Sequence, residues 1–202
     1  MTGTLPMGDR AVLVTDVADP AGWADAFRAR SVPGVAEVVP GAETVLVACD
    51  SPDALAGAVA SIADVTYEAA QPGETREIVI PVRYDGEDLE AVAAVTGLSV
   101  GEVIARHSGA VYVAAFCGFS PGFAYLRGVP TELELPRRAT PRTRVPQGAV
   151  AIAAGYAAVY PRTSPGGWHL LGRTDVQLFD ATRPQPALIR PGTRVRFEPV
   201  RR

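Results

Sequence analysis

The chain has 202 residues, 48% of them hydrophobic and 20% charged, and a formal net charge of −3 at pH 7. This composition excludes a disordered chain, and the length suffices for one large domain or two small ones with real cores. None of the 19 basic residues is lysine, which excludes Schiff-base chemistry and a P-loop lysine. No apolar run reaches the length of a spanning helix, and the N-terminus MTGTLPMGDR lacks the layout of a signal peptide. We therefore expect a cytoplasmic protein without a membrane partner.

The first part of the chain predicts a small α/β domain over residues 1–75. Strands and helices are expected in the order β-α-β-β-α-β, the pattern of a ferredoxin-like domain. The helices are predicted to begin at Asp19-Pro20 and Ser51-Pro52, where a capping residue precedes a proline. The predicted strands cover residues 11–17, 35–39, 43–49 and 65–69. A linker is expected from Ala70 to Thr75.

The second part, residues 76–202, predicts a β-rich domain. An alternating strand, REIVIPV, is followed by the Asp85-Gly86 turn. Two short helices are expected over residues 88–96 and 100–107, and Ser99 and Glu102 form a capping box at the start of the second. Short apolar runs separated by proline and glycine then predict a β-barrel or sandwich.

Charge and cysteine usage restrict the possible ligands. Residues 1–75 hold eleven acids and three arginines, whereas residues 76–202 hold eleven acids and sixteen arginines. The second domain is therefore expected to attract an anion, and no nucleic-acid module accompanies its arginines. Cys49 and Cys117 are predicted to be buried free thiols, and the two cysteines and two histidines do not have the spacing of a metal site.

The segment GFSPGF, which begins at Gly118, matches the G-x-S-x-G pattern of a hydrolase nucleophile elbow. The oxyanion hole of such an enzyme needs the backbone N–H of the residue after the serine, and Pro121 has none. His169 is the only histidine downstream of Ser120 that could act as the base. Because the oxyanion hole cannot form, we reject a serine hydrolase. The segment is either a loop that lines a ligand or a structural turn.

Four arginines stand within eight residues, at positions 137, 138, 142 and 144. Such a run is usually a solvated face. In a strand, however, Arg138, Arg142 and Arg144 would share one side and could bind a carboxylate or phosphate. Arg142 is the best candidate for a fixed side chain because prolines flank it at positions 141 and 146.

Two further features each have a structural and a functional interpretation. The segment SPGGW is either a Gly-Gly hairpin with Trp168 as a core residue, or a turn whose N–H groups face an anion with Arg173 nearby. His107 stands at a predicted helix C-terminus, where it is either a capping residue or an acid or base. Arginines, glycine turns and one histidine are typical of a binding half-site rather than of a complete catalyst.

These segments resemble a known family. Three segments are similar to the family of the B-type subunit of 5-oxoprolinase, also called kinase-inhibitor-like or allophanate hydrolase subunit 1. They are GFSPGFAYL, the segment from Pro141 to Pro146, and YPRTSPGGWHLLGRTDVQLFD. IPVRYDGEDLEAVAAVTGLSVGEVIARHS is similar to the same family, so the resemblance covers about residues 78–180.

The resemblance implies a ferredoxin-like domain followed by a cyclophilin-like β-barrel, in the α+β class. It implies a chain that is inactive alone and acts with a homologous C-type subunit and with an A-type subunit in the ATP-dependent opening of 5-oxoproline to glutamate. ATP is then used by the complex, and the ligand is a small lactam or amide. Two alternatives stay open: a module that inhibits a histidine kinase, and the carboxyltransferase half of a urea carboxylase or urea amidolyase system.

On this basis we expect the following site residues. The candidate catalytic residues are His107, Arg142 and Arg173. The candidate substrate-binding residues are Gly118, Phe119, Ser120, Pro121, Gly122, Phe123, Tyr125, Pro141, Pro165, Gly166, Gly167 and Trp168. No metal ligands are expected.

The chain departs from the family pattern in one stretch. Where the family has a sequence close to GSVGIAGGQTGVYP, this chain has GAVAIAAGYAAVYP from Gly148. A serine is replaced by Ala149, the Gln-Thr-Gly stretch by residues 156–158, and an expected glutamine by His169. If the Gln-Thr-Gly stretch contacts substrate, Tyr156 favours a flatter or more apolar ligand.

Overall fold

The computed structural model describes residues 2–66 and 77–200, and the chain divides into two compact units, residues 1–74 and 75–202. The α+β class expected from the sequence is confirmed, with a small sheet in the first unit and a barrel-like sheet in the second. The linker predicted from Ala70 to Thr75 and most of the strand predicted over 65–69 lie outside the described residues. Val65 and Thr66 are described and do not belong to a strand.

The first unit is a four-stranded antiparallel sheet, in the order β1-β2-β4-β3, with two helices. Its elements are β1 (Gly3–Pro6), β2 (Ala11–Thr15), α1 (Pro20–Ala29), β3 (Val35–Pro40), β4 (Val45–Cys49) and α2 (Pro52–Ile62). Both helices begin where the sequence predicted: Asp19 accepts a hydrogen bond from the Gly22 N–H, and Ser51 accepts one from the Ala54 N–H. Strand β1 was not predicted, because its four residues include a glycine and a proline, which are rare in strands.

The second unit is built on a seven-stranded sheet, in the order β12-β9-β10-β7-β6-β13-β5. Its elements are β5 (Glu77–Val82), α3 (Leu89–Thr96), α4 (Val100–Gly109), β6 (Tyr112–Cys117), β7 (Ala124–Arg127), the 3-10 helix η1 (Thr131–Leu133), β8 (Arg142–Val145), β9 (Ala149–Ala153), β10 (Tyr156–Val159), β11 (Ser164–Gly166), β12 (His169–Arg173) and β13 (Arg194–Pro199). The sheet nearly closes into a barrel, because Arg83 and Arg173 exchange backbone hydrogen bonds of 2.9 and 2.8 Å just beyond β5 and at the end of β12. The predicted capping box of Ser99 and Glu102 is present at the start of α4.

Strand β9 separates two apolar clusters of the second unit. All five of its residues are buried: Val150 and Ile152 belong to the main core, whereas the alanines at 149, 151 and 153 face a second, aromatic cluster. Alternate side chains of a strand point to opposite faces, so small residues on one face leave room for rings. The β8–β11 ribbon, in which Ser164 pairs with Val145 and Gly166 with Arg142, contributes Val145 to the same cluster. The fold thus places the predicted site segments around this aromatic cluster.

None of the helices in the described part of the chain is both long and apolar enough to cross a membrane.

Candidate functional site

Two of the segments singled out from the sequence, the turn at 118–123 and SPGGW, meet at Phe123. Its ring is buried, and its centroid lies 5.1 Å from that of Tyr125, 5.3 Å from that of Tyr160 and 5.7 Å from that of Trp168. These contacts join the turn at 118–123 to the segment around Trp168 through edge-to-face ring packing. We call this face of the second unit, with Phe119, Arg142, Tyr160 and Gly166, the aromatic wall.

Phe119 is the exposed member of the wall. Its φ is 65°, a left-handed conformation that non-glycine residues rarely adopt, and 59% of the residue is exposed. Its ring contacts those of Phe123 at 5.2 Å and Tyr160 at 6.4 Å. The turn is closed by backbone hydrogen bonds from Gly118 to Phe123, from Ser120 to Gly118 and from Phe123 to Ser120. A strained turn therefore presents an aromatic side chain to solvent.

Glycine brings the SPGGW segment close to the wall. A Cβ atom at Gly166 would lie 2.3 Å from Oη of Tyr160, and a Cβ atom at Gly167 would lie 3.6 Å from the ring of Pro141. Tyr160 itself is buried, and its hydroxyl accepts a hydrogen bond from the Trp168 N–H. Burial raises the pKa of Tyr160 to about 12, although the charges of Arg137 and Arg142 act in the opposite direction. The tyrosine is thus a neutral hydroxyl within the electrostatic reach of the arginine segment.

Arg142 is fixed on this wall by acids. Its two terminal nitrogens donate to the carboxylate of Asp88 at 2.9 and 2.8 Å, and its Nε donates to Glu87 at 3.1 Å. The hydrogen bonds to Asp88 raise the pKa of Arg142 above its ordinary value. Arg138 donates to the same carboxylate, and its backbone N–H donates to the Gly167 oxygen at 2.8 Å. Strand alternation was expected to put Arg138, Arg142 and Arg144 on one side. Strand β8 begins at Arg142, so Arg138 lies outside it and reaches Asp88 from the preceding segment, and Arg144 makes none of these contacts.

Asp88 is the buried centre of this arrangement, with 3% of the residue exposed. Burial by itself raises the pKa of its carboxyl, but the hydrogen bonds from Arg142 and the Leu170 N–H, with the charges of Arg142 and Arg138, outweigh burial and lower it. Asp88 is therefore ionised at neutral pH.

Arg173 is not brought together with the residues of the wall. It pairs with Asp85 at 2.7 Å, and Arg83, opposite it across the barrel seam, pairs with Asp175 at 3.2 Å. These arginines line a separate cleft of about 390 Å³, with the lining residues Pro81, Arg83, Arg173, Thr174, Asp175, Val176 and Val200. Arg173 stands at the opposite end of β12 from Trp168, so it does not join the aromatic wall.

His107 lies in the main core rather than at a surface site. None of the residue is exposed, its Nδ1 lies 2.7 Å from the Tyr84 hydroxyl, and its ring stacks on that of Phe197 with a centroid distance of 4.7 Å. Burial lowers the pKa of His107 to about 3. A neutral side chain without an accessible edge does not contact a bound substrate. This placement corrects the expected acid–base role to a structural one.

Two further polar groups lie at the wall without partners. The hydroxyls of Ser120 and Ser164 are both buried, and neither makes a hydrogen bond within the described protein. Each serine precedes a proline, in the turn at 118–123 and in β11, respectively. Buried hydroxyls are usually paired, so these two are exceptions among the described residues.

The departure from the family pattern lies at the edge of the same cluster. The ring of Tyr156 contacts those of Phe116 and Tyr125, both with centroid distances of 5.7 Å. Ala149 and Ala158 face the cluster, whereas Ala157 belongs to the main core. The altered stretch therefore enlarges the aromatic surface beside the wall. His169 lies next to it and bonds the Pro136 oxygen through Nε2 at 2.9 Å.

The sequence pattern did not identify Asp88 and Glu87 as partners of the arginines. They are fifty or more residues from the arginines they bind and follow a turn that resembles an ordinary helix start. No local pattern identifies such a long-range pair.

The cysteines are free, as the sequence predicted, although only Cys49 is buried and Cys117 is half-buried. Among the described residues, no group of three or more His, Cys, Asp or Glu side chains is arranged to hold a metal ion.

Relatives of this chain carry a functional name. A protein of Escherichia coli O157:H7 named as the B-type subunit of 5-oxoprolinase is 44% identical over 183 residues, which are 88% of this chain and 84% of the relative. A protein of Haemophilus influenzae with the same name is 46% identical over 125 residues, which are 60% of this chain and 59% of the relative.

Solved structures agree with the fold. TTHA0988 superposes with a TM-score of 0.83 at 36% identity, and the match covers 96% of this chain but 40% of that one. The urea amidolyase of K. lactis superposes with a TM-score of 0.75 at 19% identity, over 98% of this chain and 15% of that one, which supports the fold alone. Residues 2–189 match the family described as carboxyltransferase domain, subdomain C and D. The chain therefore belongs to this carboxyltransferase-domain family, together with relatives named as the B-type subunit of 5-oxoprolinase.

Proposed function

We propose that this chain is the B-type subunit of an ATP-dependent 5-oxoprolinase and that its aromatic wall forms one half of the substrate site. The observation that carries the proposal is the convergence of Arg142, Tyr160 and Phe119 on one face. The names of the relatives support the same activity.

The chemistry of 5-oxoproline matches this wall. The substrate has a carboxylate and a compact five-membered lactam. The two parallel N–H groups of Arg142 are bonded to Asp88, so a carboxylate would accept a charge-assisted hydrogen bond from an N–H that a terminal nitrogen keeps outside these bonds. Aromatic faces and close glycine backbone suit a small, flat ring. In the reaction, the lactam C–N bond breaks, the carbonyl carbon gains the oxygen of water, and the nitrogen gains protons to give the amine of glutamate.

Other chains must supply the rest of the site. The sequence has no lysine, and a P-loop needs one, so we propose that the A-type subunit binds ATP and that its hydrolysis to ADP and phosphate drives ring opening. Phe119 is exposed, and Arg142 retains 17% exposure of its side chain. The C-type subunit would complete the half-site against these residues. A cytoplasmic location is part of the same proposal.

Omitting each chain in turn tests this function. The chain is co-expressed with its A-type and C-type partners, and ATP-dependent release of glutamate from 5-oxoproline is measured with all three chains and with each one left out. We expect turnover only with all three chains and ATP. A stable three-chain complex that does not turn over 5-oxoproline would contradict the proposal.

The second candidate is a carboxyltransferase partner, which the description of the matching family favours. In that case the same complex would transfer a carboxyl group from carboxybiotin to an amide such as urea. Glutamate release from 5-oxoproline would then be absent, so the two candidates predict opposite results in one assay.

A further inference from the structure

Asp88 has every acceptor position of its carboxylate filled. Oδ1 accepts from Arg138 and from Nη2 of Arg142, and Oδ2 accepts from Nη1 of Arg142 and from the Leu170 N–H. We propose that Asp88 is a positioning residue that holds Arg142 and Arg138 together as a two-arginine clamp for the carboxylate of the substrate. The inference rests on the function proposed above.

The backbone around Asp88 is fixed as firmly as its side chain. Its N–H donates to the Leu170 oxygen at 3.0 Å, while the Leu170 N–H donates to its carboxylate at 2.7 Å. Two residues earlier, the Gly86 N–H donates to the Leu171 oxygen at 3.1 Å, and a Cβ atom at Gly86 would lie 2.3 Å from the Leu170 oxygen. The turn is therefore pressed against β12, and the carboxylate has a defined position relative to the wall.

The bonding pattern leaves donors for a ligand. Arg142 uses its Nε–H and one N–H on each terminal nitrogen, so each terminal nitrogen keeps one N–H outside these bonds. The side chains of Arg142 and Arg138 remain 17% and 32% exposed, whereas that of Asp88 is 4% exposed. The acid is thus covered, and the arginines reach the surface.

The charges favour an anion at this place. Two guanidinium groups share one buried carboxylate, and the second acid, Glu87, has a side chain that is 70% exposed and therefore well solvated. The nearby Arg137 adds a further positive charge that acts on Tyr160. A buried ion pair is weak evidence for stability by itself, but it preorganises cations for binding at little further cost in side-chain entropy.

The test is Asp88→Asn in the co-purified complex, with Asp180→Asn as the matched control. Asparagine keeps a carbonyl acceptor for the Leu170 N–H but removes the charge that pairs the arginines. Asp180 also binds an arginine, Arg183 at 3.2 Å, but among the described contacts neither residue bonds Arg138 or Arg142. Two probes are compared: 5-oxoproline as substrate, and its neutral carboxamide as competitor.

A positioning role predicts a specific kinetic pattern. In Asp88→Asn we expect KM for 5-oxoproline to rise about tenfold or more, the inhibition constant of the carboxamide to change little, and kcat to change less than KM. A residue that only stabilises the fold would not alter discrimination between a carboxylate and a carboxamide. The control variant should keep both constants.

The result that overturns the inference is a folded Asp88→Asn complex with unchanged KM and unchanged discrimination, while the unmodified complex is active. An inactive unmodified complex would instead overturn the proposed function. If Asp88→Asn does not fold, Arg138→Gln tests the same clamp from the partly exposed side, with Arg183→Gln as control. Unchanged discrimination in Arg138→Gln would equally reject the clamp.

Discussion

Arg142 and Asp88 meet end-on, with distances of 2.9 Å from Nη1 to Oδ2 and 2.8 Å from Nη2 to Oδ1. This geometry gives two parallel charge-assisted hydrogen bonds, which fix the plane of the guanidinium group. The arginine that prolines flank in the sequence is therefore held by two bonds to an acid that the sequence did not connect with it.

Phe119→Asn should separate stability from function. Asparagine tolerates a left-handed backbone better than phenylalanine, and the ring that is removed is largely exposed. We expect the isolated chain to keep its melting temperature or gain a few degrees, while the complex loses affinity for substrate or for its partner chains. Val95→Asn, at a residue that is 74% exposed on α3, is the control and should leave binding intact. A variant that loses stability and keeps full activity would show that Phe119 is a structural residue.

Gly166→Ala should disturb Tyr160. The added Cβ would lie 2.3 Å from the tyrosine Oη and 2.9 Å from its Cζ, and the buried ring has little room to move. We expect a loss of about 1–3 kcal/mol in the free energy of unfolding, measured with urea, together with reduced turnover of the complex. Gly101→Ala in α4 is the matched control because no atom lies within 4 Å of the added Cβ. It should be neutral or stabilise the chain by up to about 1 kcal/mol. Equal stabilities of the two variants would contradict the close packing at Gly166.

His107 should make the chain less stable in acid. Its pKa is about 3 in the folded protein and about 6.5 when unfolded, so only the unfolded state binds this proton between those values. Its contribution to stability is therefore complete above pH 6.5 and declines as the pH falls, with a slope of about 1.4 kcal/mol per pH unit.

The contribution of His107 to the pH dependence is isolated by comparing the natural chain with the double variant His107→Phe/Tyr84→Phe. The second substitution removes the Tyr84 hydroxyl, which would otherwise lose its partner His107. Urea unfolding between about pH 5 and 7.5, which spans the unfolded pKa, should show a shallower slope in the double variant. Identical slopes in both proteins would mean that His107 is accessible or charged in the folded state.

Local patterns predicted much of the fold. Helix starts depend on neighbouring residues, so the sequence suffices to find them. This holds for α1 at Asp19-Pro20, for α2 at Ser51-Pro52 and for the capping box of Ser99. The strand order and the β8–β11 ribbon depend on contacts between distant segments. For the same reason β1 was missed, since its pairing with β2 rather than its composition makes it a strand.

Part of the geometry around Tyr160 also follows from local patterns. Glycine and proline mark the turns that carry Phe119 and Gly166, and the structure brings both to Tyr160. The burial of His107 and the separation of Arg173 from the wall could not be inferred, because both depend on which face of a helix or strand meets the core.

The most direct test of the substrate half-site is the steady-state kinetics of Arg142→Ala in the three-chain complex, with Arg183→Ala as control and thermal unfolding as the check of folding. Loss of a charged hydrogen-bond donor to a carboxylate should lower kcat/KM for 5-oxoproline by about 10- to 100-fold, with Arg142→Lys intermediate because lysine keeps the charge but cannot make both bonds to Asp88. The Arg183→Ala control should have the same kcat/KM as the natural complex. A folded Arg142→Ala complex with unchanged turnover and unchanged affinity for 5-oxoproline would contradict the assignment of the aromatic wall as the substrate half-site.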